Sequence, residues 1–188
     1  KRLSLLATGA VALMAFSGAA SATTITGPSG ESTPTIHAEN SGGHIVIQNP
    51  IANISCASTF EGAFEAHGSG WTAKASFSGF TFTGCTNGWH VTVIAPGGKE
   101  LHYVSPGVAT STQVGITFDV TRFGVTCIYS TGNTDFGTYT DSTRTGGRTK
   151  FHFVGVYGIH SGSSGLCGTG PAKVEGSYET TQNLFIDP

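Results

Sequence analysis

From Thr35 to Ile186 the chain repeats one pattern: short runs in which apolar and polar side chains alternate, cut by Gly, Pro and Asn. No long stretch keeps a helical period of 3.6, and Gly and β-branched residues recur too often for helices. Alternation with period two places successive side chains on opposite faces, which is the signature of a half-buried strand. Strands are expected near Thr35–Ala38, His44–Gln48, Ile54–His67, Trp71–Gly84, Trp89–Ala95, Glu100–Val104, Gln113–Thr121, Val125–Tyr129, Phe136–Tyr139, Lys150–Ile159, Ala172–Thr180 and Leu184–Ile186. Turns are expected at Gly27-Pro28-Ser29-Gly30, Pro96-Gly97-Gly98, Gly132-Asn133 and Gly146-Gly147. This spacing predicts an all-β fold, an antiparallel sandwich of Ig-like or jelly-roll-like type.

Two hairpins stand out. The stretch from Phe77 to Ile94 reads as a strand, a turn on Cys85-Thr86-Asn87-Gly88 and a second strand led by Trp89, because Asn-Gly tolerates the positive φ of a type I′ turn. In its first strand neither face is purely polar: Phe77 lies on one side, Phe80 and Phe82 on the other. That predicts burial on both sides or a place near a sandwich edge. Trp89 reads as a core aromatic. A second hairpin, Trp89–Val104 around Pro96-Gly97-Gly98, would pair Val93 with Leu101 and Val91 with Tyr103. It would also make His90 and His102 diagonal neighbours on the outer face, candidates for a metal pair if a third ligand joined them, but no carboxylate lies beside them in sequence, so no metal site is expected and the two read as solvent-exposed histidines.

Residues 1–22 read as a cleavable signal helix: Lys1 and Arg2, an apolar run to Phe16, and Ala20-Ser21-Ala22 as cleavage site. The apolar run is shorter than the roughly 20 residues of a membrane span. The mature part, residues 23–188, is then one domain, with no membrane span expected in it. Of nine basic residues, losing Lys1 and Arg2 leaves seven against eleven acidic ones, a formal charge of −4. With no basic stripe, neither nucleic acid nor an anionic membrane is an expected partner. Charged residues are only 11% of the chain, so its surface is neutral and rich in hydroxyls. The segment Thr23–Asn40, rich in Thr, Ser, Gly and Pro, reads as an edge strand or a loosely docked arm. A free strand of this kind is one that secreted subunits donate when they polymerise.

Cys56, Cys85, Cys127 and Cys167 are an even number in a chain with an export signal, which makes two disulfides the expectation. Three pairings are possible. An internal echo favours Cys56–Cys85 with Cys127–Cys167: Ile54-Ser55-Cys56-Ala57-Ser58-Thr59 resembles Val125-Thr126-Cys127-Ile128-Tyr129-Ser130, and each second cysteine sits in a Gly-rich setting. The spacings are not those of a zinc or redox motif.

No catalytic motif is evident. Gly162-Ser163-Ser164-Gly165 is one residue short of a nucleophile elbow. Cys167 and His160 would make a nucleophile and base only if Cys167 were free. Glu61 and Glu65 share a strand face, whereas a glycosidase pair faces across a cleft. No phosphate loop or dinucleotide fingerprint occurs, and no cofactor is expected. His152 alternates with Phe151 and Phe153 and is expected on a solvent face or the other side of a sheet. The aromatics Phe60, Phe64, Phe80, Phe82, Phe136, Tyr139 and Tyr157 outnumber the needs of one sandwich face, so some are candidates for a glycan, lipid or subunit patch.

In its Cys-bearing Thr-rich strand (Ile54 to Phe60), its Phe77-Ser78-Gly79 to Gly84-Cys85 segment and its late Leu166-Cys167 before Gly176-Ser177-Tyr178, the chain resembles a group of small, uncharacterised secreted proteins of actinobacteria. Over Cys56–Val93, with Trp89 following Cys85, it is more distantly similar to the secreted alkane-oxidation activator PraB. The resemblance implies a non-catalytic extracellular protein and assigns no functional residue. The expectation is a secreted or cell-surface envelope or matrix protein acting by adhesion or self-assembly, with itself or envelope components as partner. A carbohydrate- or lipid-binding module is the alternative, and a secreted hydrolase with a site assembled from distant residues is the third reading.

Overall fold

The computed structural model describes residues 24–31, 34–65, 72–105, 108–114, 116–130, 135–140 and 148–187. The expected signal segment and the turns at Gly132-Asn133 and Gly146-Gly147 lie outside them. The described strands are β1 (Thr24–Thr26), β2 (Thr35–Asn40), β3 (Ile45–Asn49), β4 (Ala52–Glu65), β5 (Thr72–Thr83), β6 (His90–Ala95), β7 (Gly98–Ser105), β8 (Val108–Val114), β9 (Thr117–Arg122), β10 (Val125–Ser130), β11 (Asp135–Thr140), β12 (Lys150–Ile159), β13 (Ala172–Thr180) and β14 (Phe185–Asp187). Two short 3-10 turns, Thr86–Gly88 and Gly165–Cys167, complete the described elements. The fold is all-β and antiparallel with two disulfides, as expected, and its layers are joined by continuous ladders.

The ladders define two tiers. In the first, β2 pairs with β4, β4 with β5, β5 with β7, β7 with β8, β8 with β11, β11 with β12, β12 with β13, and β13 with β2 again. This is a closed eight-stranded ring without a free edge. In the second tier β3 takes over the slot of β2 between β4 and β13. There the upper part of β12 meets β10, β10 meets β9, and β9 meets β6. Among the described residues nothing pairs β6 to β5, so this tier has a seam.

That seam overturns the hairpin expected over Phe77–Ile94. Asn87 and Gly88 do take the positive φ values of 56° and 71° that their types allow, but they form a single 3-10 turn. Cys85 and Trp89 on either side are extended, so the strands part and the chain crosses between sheets. The second expected hairpin is absent for the same reason. Val93 lies opposite Phe118 and Val91 opposite Val120, while Leu101 lies opposite Ala73 and Ser111. The single strand expected over Gln113–Thr121 is two, β8 in the first tier and β9 in the second.

The mixed pattern of β5 has a local cause. The register with β4 shifts between Glu61 and Gly62, leaving Ser78 as an extra residue. An extra residue reverses which side chains point inward. Ala73, Ala75 and Phe77 are buried before it, and Phe80 and Phe82 pack on the core after it. Gly62 is required opposite the bulge, because a Cβ there would collide with the Ser76 carbonyl oxygen.

Phe60 is the hub of the core, with ring centroids 4.8 Å from Tyr178, 5.3 Å from Phe77 and 5.6 Å from Phe151. Edge-on aromatic pairs of this kind contribute about 1 kcal/mol each beyond area burial. The Tyr178 hydroxyl is 2.8 Å from Ser58 Oγ, which satisfies two buried polar groups at once. At the ring's outer end, Thr149 Oγ1 donates to the Leu184 carbonyl and accepts from the Leu184 amide. The β1–β14 pair sits there with Ile25, Leu184 and Ile186 buried. β2 is therefore neither an edge strand nor a free arm, since it has partners on both edges.

Candidate functional site

The expected aromatic patch is mostly core. Phe60, Phe64, Tyr139 and Tyr157 are buried, and Phe80 and Phe82 pack against the core; the side chain of Phe136 lies outside the described residues. Trp89 is buried as expected. A partly open apolar cleft bordered by Phe60, Phe77, Phe118 and Tyr157, which reaches exposed His152, holds about 30 Å³ of free space. Ligand pockets are roughly tenfold larger or more; this one has room for about two waters and little polar lining to hold them.

The histidines do not gather where the sequence placed them. His90 lies opposite Thr121, and His102 opposite Thr72 and Thr110, so the two belong to different ladders. Among the described residues no group of three or more His, Cys, Asp or Glu is placed to hold a metal ion. His37 lies 3.3 Å from Glu61 and 3.6 Å from Glu39 on the exposed face of β2 and β4. Glu61 and Glu65 are both exposed, in keeping with a solvated face. Cys167 is bonded to Cys127, which removes it as a nucleophile for His160. His67 lies outside the described residues.

One surface cleft, about 360 Å³, does collect polar groups: His44, His152, Glu175 and Ser177 beside Gly42 and Gly43. Ser177 Oγ is 3.0 Å from His152 Nδ1, across the β12–β13 ladder. Glu175 accepts a hydrogen bond from Lys173 at 2.9 Å, which holds its carboxyl below the ordinary range, with further help from the Lys173 charge and, less, from His152. The carboxylate is thus engaged with lysine rather than orienting the imidazole, and His152 is exposed. A serine and a histidine without an orienting third group lack the arrangement that activates a nucleophile.

The most distinctive surface is the outer end of the seamed tier. Four connections meet there: residues 49–52, 84–89, 122–125 and 160–171. Each is braced. Asn49 Oδ1 accepts from the amides of Ile51 and Ala52 at 3.0 and 2.8 Å. Thr86 Oγ1 accepts from the Ser55 amide at 3.1 Å, beside the Cys56–Cys85 disulfide. Ser163 Oγ accepts from the Ile128 amide, and the Ser164 amide donates to the Thr126 carbonyl, both at 2.9 Å, beside Cys127–Cys167. In the β9–β10 turn, Val125 lies opposite Arg122 with only Phe123 and Gly124 between, at φ values of 50° and 77°.

On these braced turns sit exposed apolar side chains: Phe123 is 89% exposed, Leu166 71% and Ile51 40%. A bulky residue at positive φ is an outlier that a glycine would avoid. The Arg122 guanidinium lies 4.4 Å from the Phe123 ring centroid and 5.7 Å from that of Trp89, within cation–π range. The four connections hold no Asp or Glu; their cationic or titratable side chains are Arg122 and His160. Sequence reasoning passed over Phe123 and Leu166. The two-residue spacing of Arg122-Phe123-Gly124-Val125, with Gly second, was the signal for a hairpin tip.

Among the described residues no helix is long and apolar enough to cross a membrane. No family model matches the chain, and no curated protein or solved structure matches it.

Proposed function

We propose that this is a non-catalytic extracellular protein of the cell envelope or matrix that adheres through the disulfide-stapled end of its fold. The observation that carries the reading is the set of braced turns holding Phe123, Leu166 and Ile51 out to solvent. Burying such side chains favours folding, so displaying them on rigid turns suits contact with something else. Two disulfides agree with an oxidising compartment, and so with secretion.

The test is retention of the oxidised protein on intact bacterial cells and isolated envelope. Wild type is expected to be retained and a Phe123→Ser, Leu166→Ser double variant to be lost to the supernatant. Equal behaviour of the two proteins would overturn the reading. Self-assembly is the second reading, favoured by the unpaired edges of β5 and β6, which flank a groove of about 530 Å³. Filaments or large oligomers in light scattering would move the proposal there.

A further inference from the structure

We infer that the surface engaged by this end is an anionic phospholipid bilayer, an inference that rests on the adhesion reading and names its partner. The apolar groups stand on separate convex turns rather than lining a groove. A protein partner would need a matching socket for each, whereas a bilayer interface deforms around protruding side chains and buries them at the boundary of headgroup and acyl chain. The charge pattern points the same way. The four connections hold no carboxylate that a negative surface would repel. Arg122 has no ion-pair partner among the described residues, and its guanidinium stacks beside the most exposed ring, at 4.4 Å. A headgroup phosphate is the planar fork's natural counterion. Phe123 and Leu166 would then enter the acyl boundary while Arg122 holds a phosphate and Ile51 packs at the rim. Hydrogen bonds and a disulfide hold the connections of Ile51 and Leu166, and Phe123 stands in a two-residue turn closed by the Arg122–Val125 pair and the Thr121–Thr126 hydroxyl bond, so little ordering entropy is spent on binding.

The experiment is flotation of the full oxidised protein with vesicles of equal parts phosphatidylcholine and phosphatidylglycerol, beside vesicles of phosphatidylcholine alone. The protein should float with the anionic vesicles and about tenfold less with the neutral ones, and added salt should weaken the difference. Phe123→Gly suits the turn's positive φ, so it keeps the fold while removing the ring. It should lower binding about tenfold or more, in line with the burial of one large apolar side chain. Arg122→Gln should abolish the preference for anionic vesicles and leave residual neutral binding. The inference is overturned if wild type floats with neither vesicle, if it floats equally with both, or if Phe123→Gly floats as wild type does. Retention on delipidated envelope without flotation would overturn the lipid partner and leave adhesion standing. Retention on neither would overturn both.

Discussion

The two tiers share strands β4, β5, β12 and β13, yet they are held in different ways. In the first tier every strand edge is paired, the ring closes on itself, and no disulfide lies in it. In the second tier β6 has β9 on one side only and β5 above its bulge has β4 on one side only. Both disulfides lie in this tier. Cys56–Cys85 ties β4 to the turn where the chain leaves β5, and Cys127–Cys167 ties β10 to the connection before β13. A closed ladder leaves few ways to open, because each strand is held on two edges. A seamed one can fray, and covalent links supply the restraint that missing hydrogen bonds do not. The chain thus places its staples where its ladder is incomplete, and exposed Leu166 stands next to one of them.

The largest expected effect tests this division. Removing Cys127–Cys167 by paired Cys→Ala substitution should cost about 4 kcal/mol by loop-closure entropy, and Cys56–Cys85 slightly less for its shorter loop. Their sequence separations are 40 and 29 residues. Hydrogen exchange under reducing conditions should show β6, β9 and β10 losing protection while β2, β11 and the lower part of β13 keep theirs. Equal loss in both tiers would break the comparison.

Next in size is Gly62→Ala, which drives a methyl into the Ser76 carbonyl where the closed ring begins. Overpacking of this kind costs about 1–3 kcal/mol, read as a lower denaturant midpoint. No loss would mean that the bulge at Ser78 relaxes freely.

Tyr178→Phe should cost about 1 kcal/mol by leaving buried Ser58 Oγ without its partner. The same residue sets an alkaline limit. Burial pushes the Tyr178 phenol above its ordinary value of 10.0, with the Ser58 hydrogen bond opposing more weakly. Tyr129 is raised by burial too. Unfolded chains therefore release these protons first, so stability is full below about pH 10 and falls as pH rises further. A pH-dependent melting series checks this, and a flat profile through the alkaline range would contradict it.

The smallest effect has the opposite sign. Phe123→Gly relieves a bulky side chain at positive φ and should stabilise the second tier by about 1 kcal/mol or less, seen as a higher melting temperature. Destabilisation would show that the ring helps the fold through Arg122 rather than standing out for a partner. A fluorophosphonate probe adds a check on the non-catalytic reading: Ser177 should stay unlabelled, and labelling would revive the hydrolase.

Most strands were legible because alternation survives in their sequences. Ile54, Cys56, Ser58 and Phe60 of β4 all point inward, and Ala172, Val174, Tyr178 and Thr180 do so in β13. The disulfide pairing was legible in the echo between β4 and β10, which place their cysteines alike in a buried strand position. Which strands pair was not. Asn87-Gly88 and Gly97-Gly98 have the local chemistry of hairpin turns, and local chemistry does not say whether a chain folds back or crosses over. The tip of the candidate site was missed because Phe123 looks like any core aromatic until its neighbours show that it has none to pack on but Arg122.

By itself the sequence determined the all-β class, most strand positions and the two staples, because these depend on the period of side chains along a strand and on local thiol context. The tertiary structure alone decided that one tier closes and the other does not, which aromatics are core, and which end of the molecule presents Phe123 and Leu166. Those outcomes depend on contacts between residues far apart in the chain. One inserted residue at Ser78, or one crossing at Gly88, redirects them without changing the local pattern on either side.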